Sequence, residues 1–240
     1  PTKSSAASDV YKRQVIDLIN FLKKCGANIK VKNRTITIKG VEELNLEDYK
    51  VIPDRIEAGS YILATMATKG RLILNNFNPD DLTFPLKIYQ DMGLKIKKIS
   101  KSSYEFNCKR LKPIKKISTK EFPGYPTDLQ AQLIATQLKS ALKSKVVENI
   151  FENRFIHIPE LRRFGANLSI IGKTVTIHKT LNLFGAEVMA TDIRASFSLI
   201  IAAMMSKGTT IINRIYHLDR GYEDFDLKLK KCGVNISRKK

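Results

Sequence analysis

Acidic and basic side chains recur at predicted boundaries between strands and helices, and these residues are the ones best able to do chemistry. A carboxylate can take up a proton, and an arginine can bind a carboxylate or phosphate through two parallel hydrogen bonds. Four short segments carry such residues: 125–128, 151–154, 190–194 and 217–222. Together they offer three arginines and a proton acceptor, which is the equipment for moving a group on an anionic substrate.

The net charge of the chain restricts the kinds of partner that we expect. The 240 residues carry a formal charge of +19, with 42 Lys and Arg against 23 Asp and Glu. The lysines are spread along the whole chain, and no basic stripe alternates with aromatic residues that could stack on bases. We therefore expect no nucleic-acid partner. A positive field would still attract a small anionic substrate.

The apolar residues argue against a membrane protein. They make up 43% of the chain, which is ordinary for a globular protein, and they never form a run of 18 or more. The amino terminus also lacks the apolar core of a signal peptide. The sequence therefore predicts no transmembrane helix and no membrane partner, and a length suited to one large domain or two smaller ones.

The cysteines and histidines give no sign of a metal site, because their spacings match no metal-ligand pattern. These residues are Cys25, Cys108, Cys232, His157, His178 and His217. An odd set of free thiols is typical of a reducing cytoplasm. We expect a cytoplasmic protein without a metal or another cofactor, in which these six residues have structural roles and packing explains the cysteines.

The first fourteen residues fit nothing that follows them. They show no apolar periodicity and are predicted to be a disordered tail. Residues 5–14 resemble a translated cloning junction, so residues 1–14 are left out of the fold prediction. On this interpretation the native protein starts further upstream, and the chain is a fragment.

Four glycines indicate an internal repeat. Each ends an amphipathic segment and precedes a β-branched or alternating one, as a glycine C-cap between a helix and a strand does. Gly26, Gly93, Gly165 and Gly233 lie 67, 72 and 68 residues apart. Strands are predicted between them at 34–38, 71–74, 145–147, 173–177 and 209–212.

A second type of helix begins at Asp54, Asp128 and Asp192. The residues that follow, such as 61–67 and 195–205, are apolar on all sides, and a helix without a polar face must be buried. Each repeat is therefore predicted to be a βαβαββ module. The fold class is mixed α/β (α+β), with inner helices packed together and with sheets and amphipathic helices outside them.

Longer motifs around these positions resemble the UDP-N-acetylglucosamine enolpyruvyl transferases. The matching segments are VIPDRIEAG at 51–59, YPTDLQAQ at 125–132, FENRFIHIPEL at 151–161, ATDIRAS at 190–196 and DRGYE at 219–223. The resemblance runs from about residue 15 to the end of the chain. Several motifs in the right order are far more specific than one short motif.

The resemblance implies a fold and a reaction. The fold is an inside-out α/β barrel of repeated βαβαββ units with buried helices, incomplete in this chain. Residues 15–52 would finish the first domain, and residues 53–240 would form most of the second, catalytic domain. The implied substrates are phosphoenolpyruvate and UDP-N-acetylglucosamine. The enolpyruvyl group moves to the 3-hydroxyl of the sugar, which is the first committed step of peptidoglycan synthesis.

The resemblance also implies residue roles. Asp128 matches the general base for the sugar hydroxyl, and Asp192 matches a second acid that helps position the reacting protons. Arg154 and Arg194 are expected to bind the carboxylate of phosphoenolpyruvate, and Arg220 is expected to bind its phosphate. Ile150 lies where the family contacts the UDP-sugar through its main chain.

Each assignment has a structural alternative. Aspartate is favoured before a helix simply as an N-cap, so capping alone could explain both Asp128 and Asp192. Any one arginine in so basic a chain could be a solvated surface group, and Ile150 could be a core residue. Glu152 and Asn153 are expected to support the site without contacting the substrate.

The resemblance further implies that the first half of the protein, which supplies a reactive cysteine, a lysine and another phosphate-binding arginine, is not in this chain. That missing half would be the partner of this one, and without it residues 235–237 should form a strand with an unpaired edge. The competing functions are the related transferase of the shikimate pathway and a basic nucleic-acid-binding module. The Glu-Asn-Arg-Phe and Asp-Arg-Gly-Tyr-Glu contexts favour the UDP-sugar enzyme.

Overall fold

The computed structural model describes residues 13–33, 35–140 and 142–239, and it divides the chain into two compact units at residues 54 and 55. The division lies close to the expected boundary after residue 52, although the identity of these units with the family's domains stays a prediction. Most of the expected tail lies outside the described residues. Its last two residues, Arg13 and Gln14, belong to a helix.

The first unit is a helix followed by a hairpin. Helix α1 (Arg13–Lys24) is followed by strands β1 (Asn28–Lys32) and β2 (Thr35–Lys39), which pair antiparallel. Gly26 separates helix and strand at φ 100°, a backbone conformation that favours glycine. The carboxylate of Asp17 accepts a hydrogen bond of 2.8 Å from the Tyr49 hydroxyl, which fastens the segment after the hairpin to α1.

The second unit alternates helices and strands. The helices are α2 (Arg55–Ala67), α3 (Thr83–Asp91), α4 (Gln130–Thr136), α5 (Ile158–Arg163), α6 (Phe197–Met205), α7 (Tyr216–Asp219) and α8 (Phe225–Lys231). The strands are β3 (Arg71–Leu74), β4 (Lys95–Lys98), β5 (Tyr104–Asn107), β6 (Lys116–Ser118), β7 (Ser144–Val147), β8 (Leu168–Ile171), β9 (Thr174–Ile177), β10 (Glu187–Met189) and β11 (Ile211–Asn213). Short 3-10 turns occupy Pro79–Leu82 and Thr127–Leu129.

The sheets of the second unit are variants of one arrangement. The four-stranded sheet has the order β6-β7-β9-β8, in which β6 and β7 are parallel and the other pairs are antiparallel. The three-stranded sheet β3-β5-β4 repeats the antiparallel part, and the pair β10-β11 repeats the parallel part. The segment from β6 to β9 is one whole βαβαββ module, as the repeat predicts.

Three helices form the centre of the second unit. Every residue of α4 is buried, as are most residues of α2 and residues 197–202 of α6, and the three helices pack against one another. This confirms the prediction from their unbroken apolar character. The sheets and the partly polar helices α3, α5 and α8 surround them.

Contacts between the buried helices show that they begin at the same end. Gly59 of α2 lies against Leu129, just before α4, and further along both helices the Thr136 hydroxyl donates to the Leu63 carbonyl at 3.3 Å. The rings of Tyr61 in α2 and Phe197 in α6 meet edge to face at 5.4 Å. The amino ends of α2, α4 and α6 therefore lie at one end of the bundle.

Two predicted features differ in the structure. Residues 234–239 form no strand, because no neighbouring strand offers them backbone partners within the described residues, and an extended segment is stabilised mainly by such pairing. Cys232 is exposed, so packing does not explain it, whereas Cys25 and Cys108 are buried.

Arg34, the first residue of one predicted strand, lies outside the described residues. Among the helices that the structure describes, none combines the length and apolar character needed to cross a bilayer.

Candidate functional site

Residues 119–130, which lead into α4, and residues 148–154, which follow β7 and contact them, form the α4 junction. Its anchor is Tyr125, whose ring is fully buried. The Tyr125 hydroxyl lies 2.9 Å from that of Tyr89 and also donates to the Leu129 carbonyl at 3.3 Å. Burial raises the pKa of both tyrosines, so both stay protonated at neutral pH. The buried ring fixes the position of the next residues, which include Asp128.

Asp128 and Arg154 form an ion pair at this junction. Arg154 Nη2 lies 2.6 Å from Asp128 Oδ1, and Arg154 Nη1 donates to the Thr127 hydroxyl at 3.0 Å. The guanidinium also lies over the Phe151 ring, 5.0 Å from its centroid. Both side chains of the pair are partly exposed, so a ligand can reach them. The structure thus brings together two predicted site residues that are 26 positions apart.

The structure does not bear out the capping alternative for Asp128. The residue lies inside the 3-10 turn Thr127–Leu129, and neither that turn nor α4 has a side-chain cap hydrogen bond. In the described part of the chain, the partner of its carboxylate is Arg154 rather than an amide of the first helical turn. A guanidinium offers a charge-assisted hydrogen bond, which is stronger than one from a neutral amide.

A buried carboxylate that the sequence prediction missed lies behind this pair. Glu148 follows β7, and its side chain is fully buried. Its Oε1 accepts hydrogen bonds of 2.8 Å from the Thr119 hydroxyl, 2.8 Å from the Ile150 amide and 3.2 Å from the Phe151 amide. Its Oε2 accepts one of 2.8 Å from the Thr127 hydroxyl.

Ile150 is not a core residue. Its side chain is 36% exposed, so the packing alternative for this residue is wrong. Its amide is engaged with Glu148, which leaves the carbonyl as the main-chain group able to meet a ligand. A sequence motif cannot show which of the two backbone groups is already in use.

The segments 190–196 and 219–222 form the α6 junction. Here the aspartate bonds to its own backbone: Asp192 Oδ1 accepts hydrogen bonds from the amides of Arg194 at 2.7 Å and Ala195 at 2.5 Å, in the turn that precedes α6. The Ser196 hydroxyl accepts from the amide of Asp192 at 3.2 Å. Asp192 therefore fixes the turn that carries Arg194.

Arg194 is held against the backbone next to Arg220. Arg194 Nη1 donates to the Gly221 carbonyl at 2.8 Å, and the guanidinium lies 5.4 Å from the centroid of the Tyr222 ring. A Cβ atom on Gly221 would lie 2.3 Å from Ile193 Cγ2, so any larger residue would force Ile193 to shift. Arg220 follows α7 with its side chain exposed.

A buried amide links the two junctions. Gln132 Nε2, in the first turn of α4, lies 3.0 Å from the Arg194 carbonyl, 3.1 Å from the Ser60 hydroxyl and 3.1 Å from the Tyr222 hydroxyl. Ser60 and Tyr222 also share a hydrogen bond of 2.8 Å. This cluster ties α2, α4 and the α6 junction together at the end where the helices begin. It was not predicted, since a glutamine in an apolar helix carries no pattern of its own.

The histidines show no ligand geometry. His157 is fully buried before α5, where burial and then the nearby charge of Arg154 lower its pKa to about 3. It is therefore neutral at pH 7. His178 shares a hydrogen bond of 2.9 Å with Ser169, and the ring of His217 packs on Tyr216. Within the described residues, no cluster of His, Cys, Asp and Glu is arranged to hold a metal ion.

Taken together, the predicted site residues fall into two adjoining groups. Asp128, Arg154 and Ile150 belong to the α4 junction. Asp192, Arg194 and Arg220 belong to the α6 junction. A carboxylate and three arginines at one end of a helix bundle can bind an anionic ligand and accept a proton from it. That all of these groups face a single cleft stays a prediction.

Comparison with known proteins identifies the family. The family model described as EPSP synthase (3-phosphoshikimate 1-carboxyvinyltransferase) matches residues 4–229. The chain belongs to the EPSP synthase family. The match to this EPSP synthase model includes part of the segment 1–14, whose foreign origin stays a prediction.

Two curated members of the EPSP synthase family are similar to nearly the whole chain. Both are named UDP-N-acetylglucosamine 1-carboxyvinyltransferase. The protein from Pelagibacter ubique is 44% identical over 98% of this chain and 57% of its own length, and that from Bartonella henselae is 46% identical over 94% and 53%. These relatives confirm the resemblance that the motifs indicate. The chain spans about half the length of the curated relatives it matches.

Solved structures of the EPSP synthase family agree with the fold. The enolpyruvyl transferase NikO from Streptomyces tendae superimposes with a TM-score of 0.81 at 25% identity, over 93% of this chain and 54% of that one. An EPSP synthase from Acinetobacter baumannii superimposes with a TM-score of 0.70 at 15% identity, over 92% and 55%. The second likeness supports the mixed α/β fold alone.

Proposed function

We propose that the protein containing this chain transfers the enolpyruvyl group of phosphoenolpyruvate to the 3-hydroxyl of UDP-N-acetylglucosamine. The observation that carries this proposal is the 41–46% identity, over nearly the whole chain, to relatives named for that reaction. The proposal includes the place of the reaction in peptidoglycan synthesis and a cytoplasmic location.

The competing candidate is transfer to 3-phosphoshikimate, which the description of the family model favours. Two considerations weigh against it. The EPSP synthase structures similar to this chain are only 14–15% identical to it. A second phosphate on the acceptor would also require additional fixed cations, and the predicted arginines are assigned to phosphoenolpyruvate alone.

In the proposed reaction the arginines neutralise the anionic substrate. Arg154 and Arg194 bind the carboxylate of phosphoenolpyruvate, and Arg220 binds its phosphate. Support for this division comes from their positions: the first two are held by Thr127, Asp128 and the Gly221 carbonyl, whereas Arg220 has an exposed side chain. Arg154 already uses two nitrogens, so it binds the substrate through its remaining N–H groups or by releasing Asp128.

The proposed chemical step makes two bonds and breaks two. The oxygen of the sugar 3-hydroxyl bonds to the enolpyruvyl carbon that carries the phosphate, the hydroxyl proton passes to Asp128, and phosphate leaves. Asp192 helps position the reacting protons from the neighbouring junction. The free carbonyl of Ile150 supplies the main-chain contact to the UDP-sugar, because its amide is engaged with Glu148.

The proposed architecture is an inside-out α/β barrel. Support comes from the βαβαββ segment between β6 and β9, from its partial repeats on either side and from the buried, parallel helices. In the described residues the three-stranded sheet has no parallel strand and the pair β10-β11 has no antiparallel strands beside it, which supports an incomplete barrel.

The proposal is tested by phosphate release from phosphoenolpyruvate with either acceptor. We expect the full-length protein that contains this chain to turn over with UDP-N-acetylglucosamine and not with 3-phosphoshikimate. The chain alone should show no turnover, since it spans about half the length of its relatives. Turnover with 3-phosphoshikimate would assign the competing function, and turnover by the chain alone would show that the first half is dispensable.

A further inference from the structure

Glu148 is unusual because a carboxylate is completely buried and yet has no cation beside it in the described residues. Burying a carboxylate is costly unless hydrogen bonds replace its hydration. Four donors do so here, two hydroxyls and two backbone amides. Such an arrangement is more demanding than packing requires, since an apolar side chain could fill the same space.

The donors connect Glu148 to the predicted catalytic pair. Thr127 donates its hydroxyl proton to Glu148 Oε2, so the lone pairs of its oxygen are available to Arg154 Nη1 at 3.0 Å. Arg154 then holds Asp128 at 2.6 Å. A chain of hydrogen bonds therefore runs from Glu148 through Thr127 and Arg154 to Asp128.

The other oxygen of Glu148 fixes a different element. It accepts from the amides of Ile150 and Phe151, and it thereby holds the loop that carries Ile150. The Phe151 ring in turn lies beneath the Arg154 guanidinium. One buried carboxylate thus determines the position of both the ion pair and the neighbouring backbone.

We propose that Glu148 is a positioning residue for the transfer reaction, acting on Asp128 and Arg154 through Thr127 and on the Ile150 loop through its amides. This inference rests on the proposed function for its kinetic part. Neither Glu148 nor Thr127 touches the reacting atoms in this scheme. Their effect is exerted through the groups that they hold.

Glutamine cannot replace Glu148 in this arrangement. Its amide group has one acceptor oxygen, which would serve Thr119 and the two backbone amides. Its nitrogen would then point at Thr127 and donate to an oxygen that already accepts from Arg154. The Thr127 hydroxyl proton would lose its acceptor, so the hydrogen-bond chain to Arg154 would be disturbed without any change in volume.

The test uses the full-length protein with four substitutions. Glu148→Gln disturbs both branches, and Thr127→Val removes only the branch to Arg154. Thr127→Ser keeps the hydroxyl and is its matched control, and Glu121→Gln makes the same change of charge at an exposed position. The measurements are kcat, the KM of each substrate, and the exchange rates of the Ile150 and Phe151 amide protons.

We expect Glu148→Gln and Thr127→Val to lower kcat by about 10²-fold, the size of effect that a small misplacement of catalytic groups produces. Thr127→Ser and Glu121→Gln should stay near the unsubstituted rate. Only Glu148→Gln should also raise the KM of the UDP-sugar and speed the exchange of both amides. Thr127→Val should leave the amides protected, because Thr127 is not their partner.

The outcomes separate the inference from the proposed function. If the unsubstituted protein shows no turnover, the proposed function fails, and amide exchange alone then decides whether Glu148 anchors the loop. If Glu148→Gln keeps the full rate, or Thr127→Val and Thr127→Ser have equal kcat, the positioning role is wrong. If the Glu148→Gln protein does not fold, the comparison of Thr127→Val with Thr127→Ser tests the positioning role.

Discussion

The α4 and α6 junctions place an aspartate at corresponding positions before a buried helix, yet they use it differently. At the α6 junction Asp192 accepts hydrogen bonds from two backbone amides and forms the turn before the helix. At the α4 junction Asp128 forms no cap hydrogen bond and pairs instead with Arg154, which comes from a distant segment. Aspartates at repeated positions in the sequence therefore have different roles.

This difference separates an aspartate with a structural role from one that is available for chemistry. An aspartate that caps has an oxygen committed to its own backbone, so changing it changes the turn. An aspartate paired with a partly exposed arginine can exchange that partner for a substrate without unfolding the helix. This comparison favours Asp128 over Asp192 as the residue that accepts the proton in the proposed reaction.

The largest expected effect comes from removing the proton acceptor while keeping the shape. In the full-length protein, Asp128→Asn should lower kcat by about 10²–10⁴-fold, the contribution of a positioned base. Asp192→Asn should have a much smaller effect, since an asparagine oxygen still accepts the two amides. Phosphate release measures the rates, and an unchanged melting temperature shows that the fold is intact. If Asp128→Asn keeps the full rate, the acceptor lies elsewhere, and Asp192 is the first alternative.

The second largest effect is expected on stability, from loss of the Gln132 hydrogen bonds that link the two junctions. Gln132→Leu removes the amide that meets Ser60, Tyr222 and the Arg194 carbonyl, and loss of buried hydrogen bonds of this kind costs about 1–3 kcal/mol. Thermal unfolding should show a fall of about 2–4 °C for each kcal/mol in a unit of this size.

Gln130→Leu is the matched control for this substitution. Gln130 is buried in the same turn of α4, but its amide nitrogen has no partner within the described residues. Its replacement should cost less than that of Gln132. Equal losses of stability would mean that the linking hydrogen bonds contribute nothing beyond packing.

A pH dependence of stability should come from His157, which lies just beyond the α4 junction, before α5. Its pKa of about 3 in the folded protein lies below the ordinary value of 6.5, so the unfolded chain binds the proton more readily. The contribution of neutral His157 to the free energy of unfolding is therefore fully present above pH 6.5. It decreases as the pH falls towards 3, by up to about 1.4 kcal/mol per pH unit. Urea unfolding of His157→Phe should show a shallower decrease between pH 7 and pH 5. Parallel curves for the two proteins would contradict this account.

The smallest expected effect tests capping directly. Asp192→Ala should destabilise the protein by about 0.5–2 kcal/mol, the cost of losing a side chain that accepts hydrogen bonds from turn amides as an N-cap does. Asp128→Ala loses only a partly exposed ion pair, worth about 0–1 kcal/mol. Denaturant unfolding of both variants shows which substitution lowers the free energy of unfolding more. The reverse order would mean that the two aspartates do not differ as the hydrogen bonds indicate.

Local sequence patterns predicted the architecture well. The glycines Gly26, Gly93, Gly165 and Gly233 all adopt positive φ values between a helix and the residues that follow. The helices without a polar face are buried, and strand β3 has the predicted bounds. Conformational freedom and apolar periodicity act over a few residues, so one sequence displays them.

The polar contacts of the site depend on residues far apart in the chain, and they were harder to predict. Glu148 is 29 positions from Thr119 and 21 from Thr127, and Gln132 meets residues 62, 72 and 90 positions away. No local pattern distinguishes a glutamate that accepts four hydrogen bonds from one that faces water. The motifs located Asp128 and Arg154, but not the fact that they pair.

The common direction of the three buried helices has a consequence for the charge of the protein. Peptide dipoles add along a helix, so parallel neighbours place like partial charges side by side, negative at the carboxyl ends. Lys69, Lys139 and Lys207 follow the carboxyl ends of α2, α4 and α6, and all three are exposed. A cation there is worth about 0.3–1 kcal/mol. Part of the excess of lysine therefore balances the helix bundle itself, independently of any substrate.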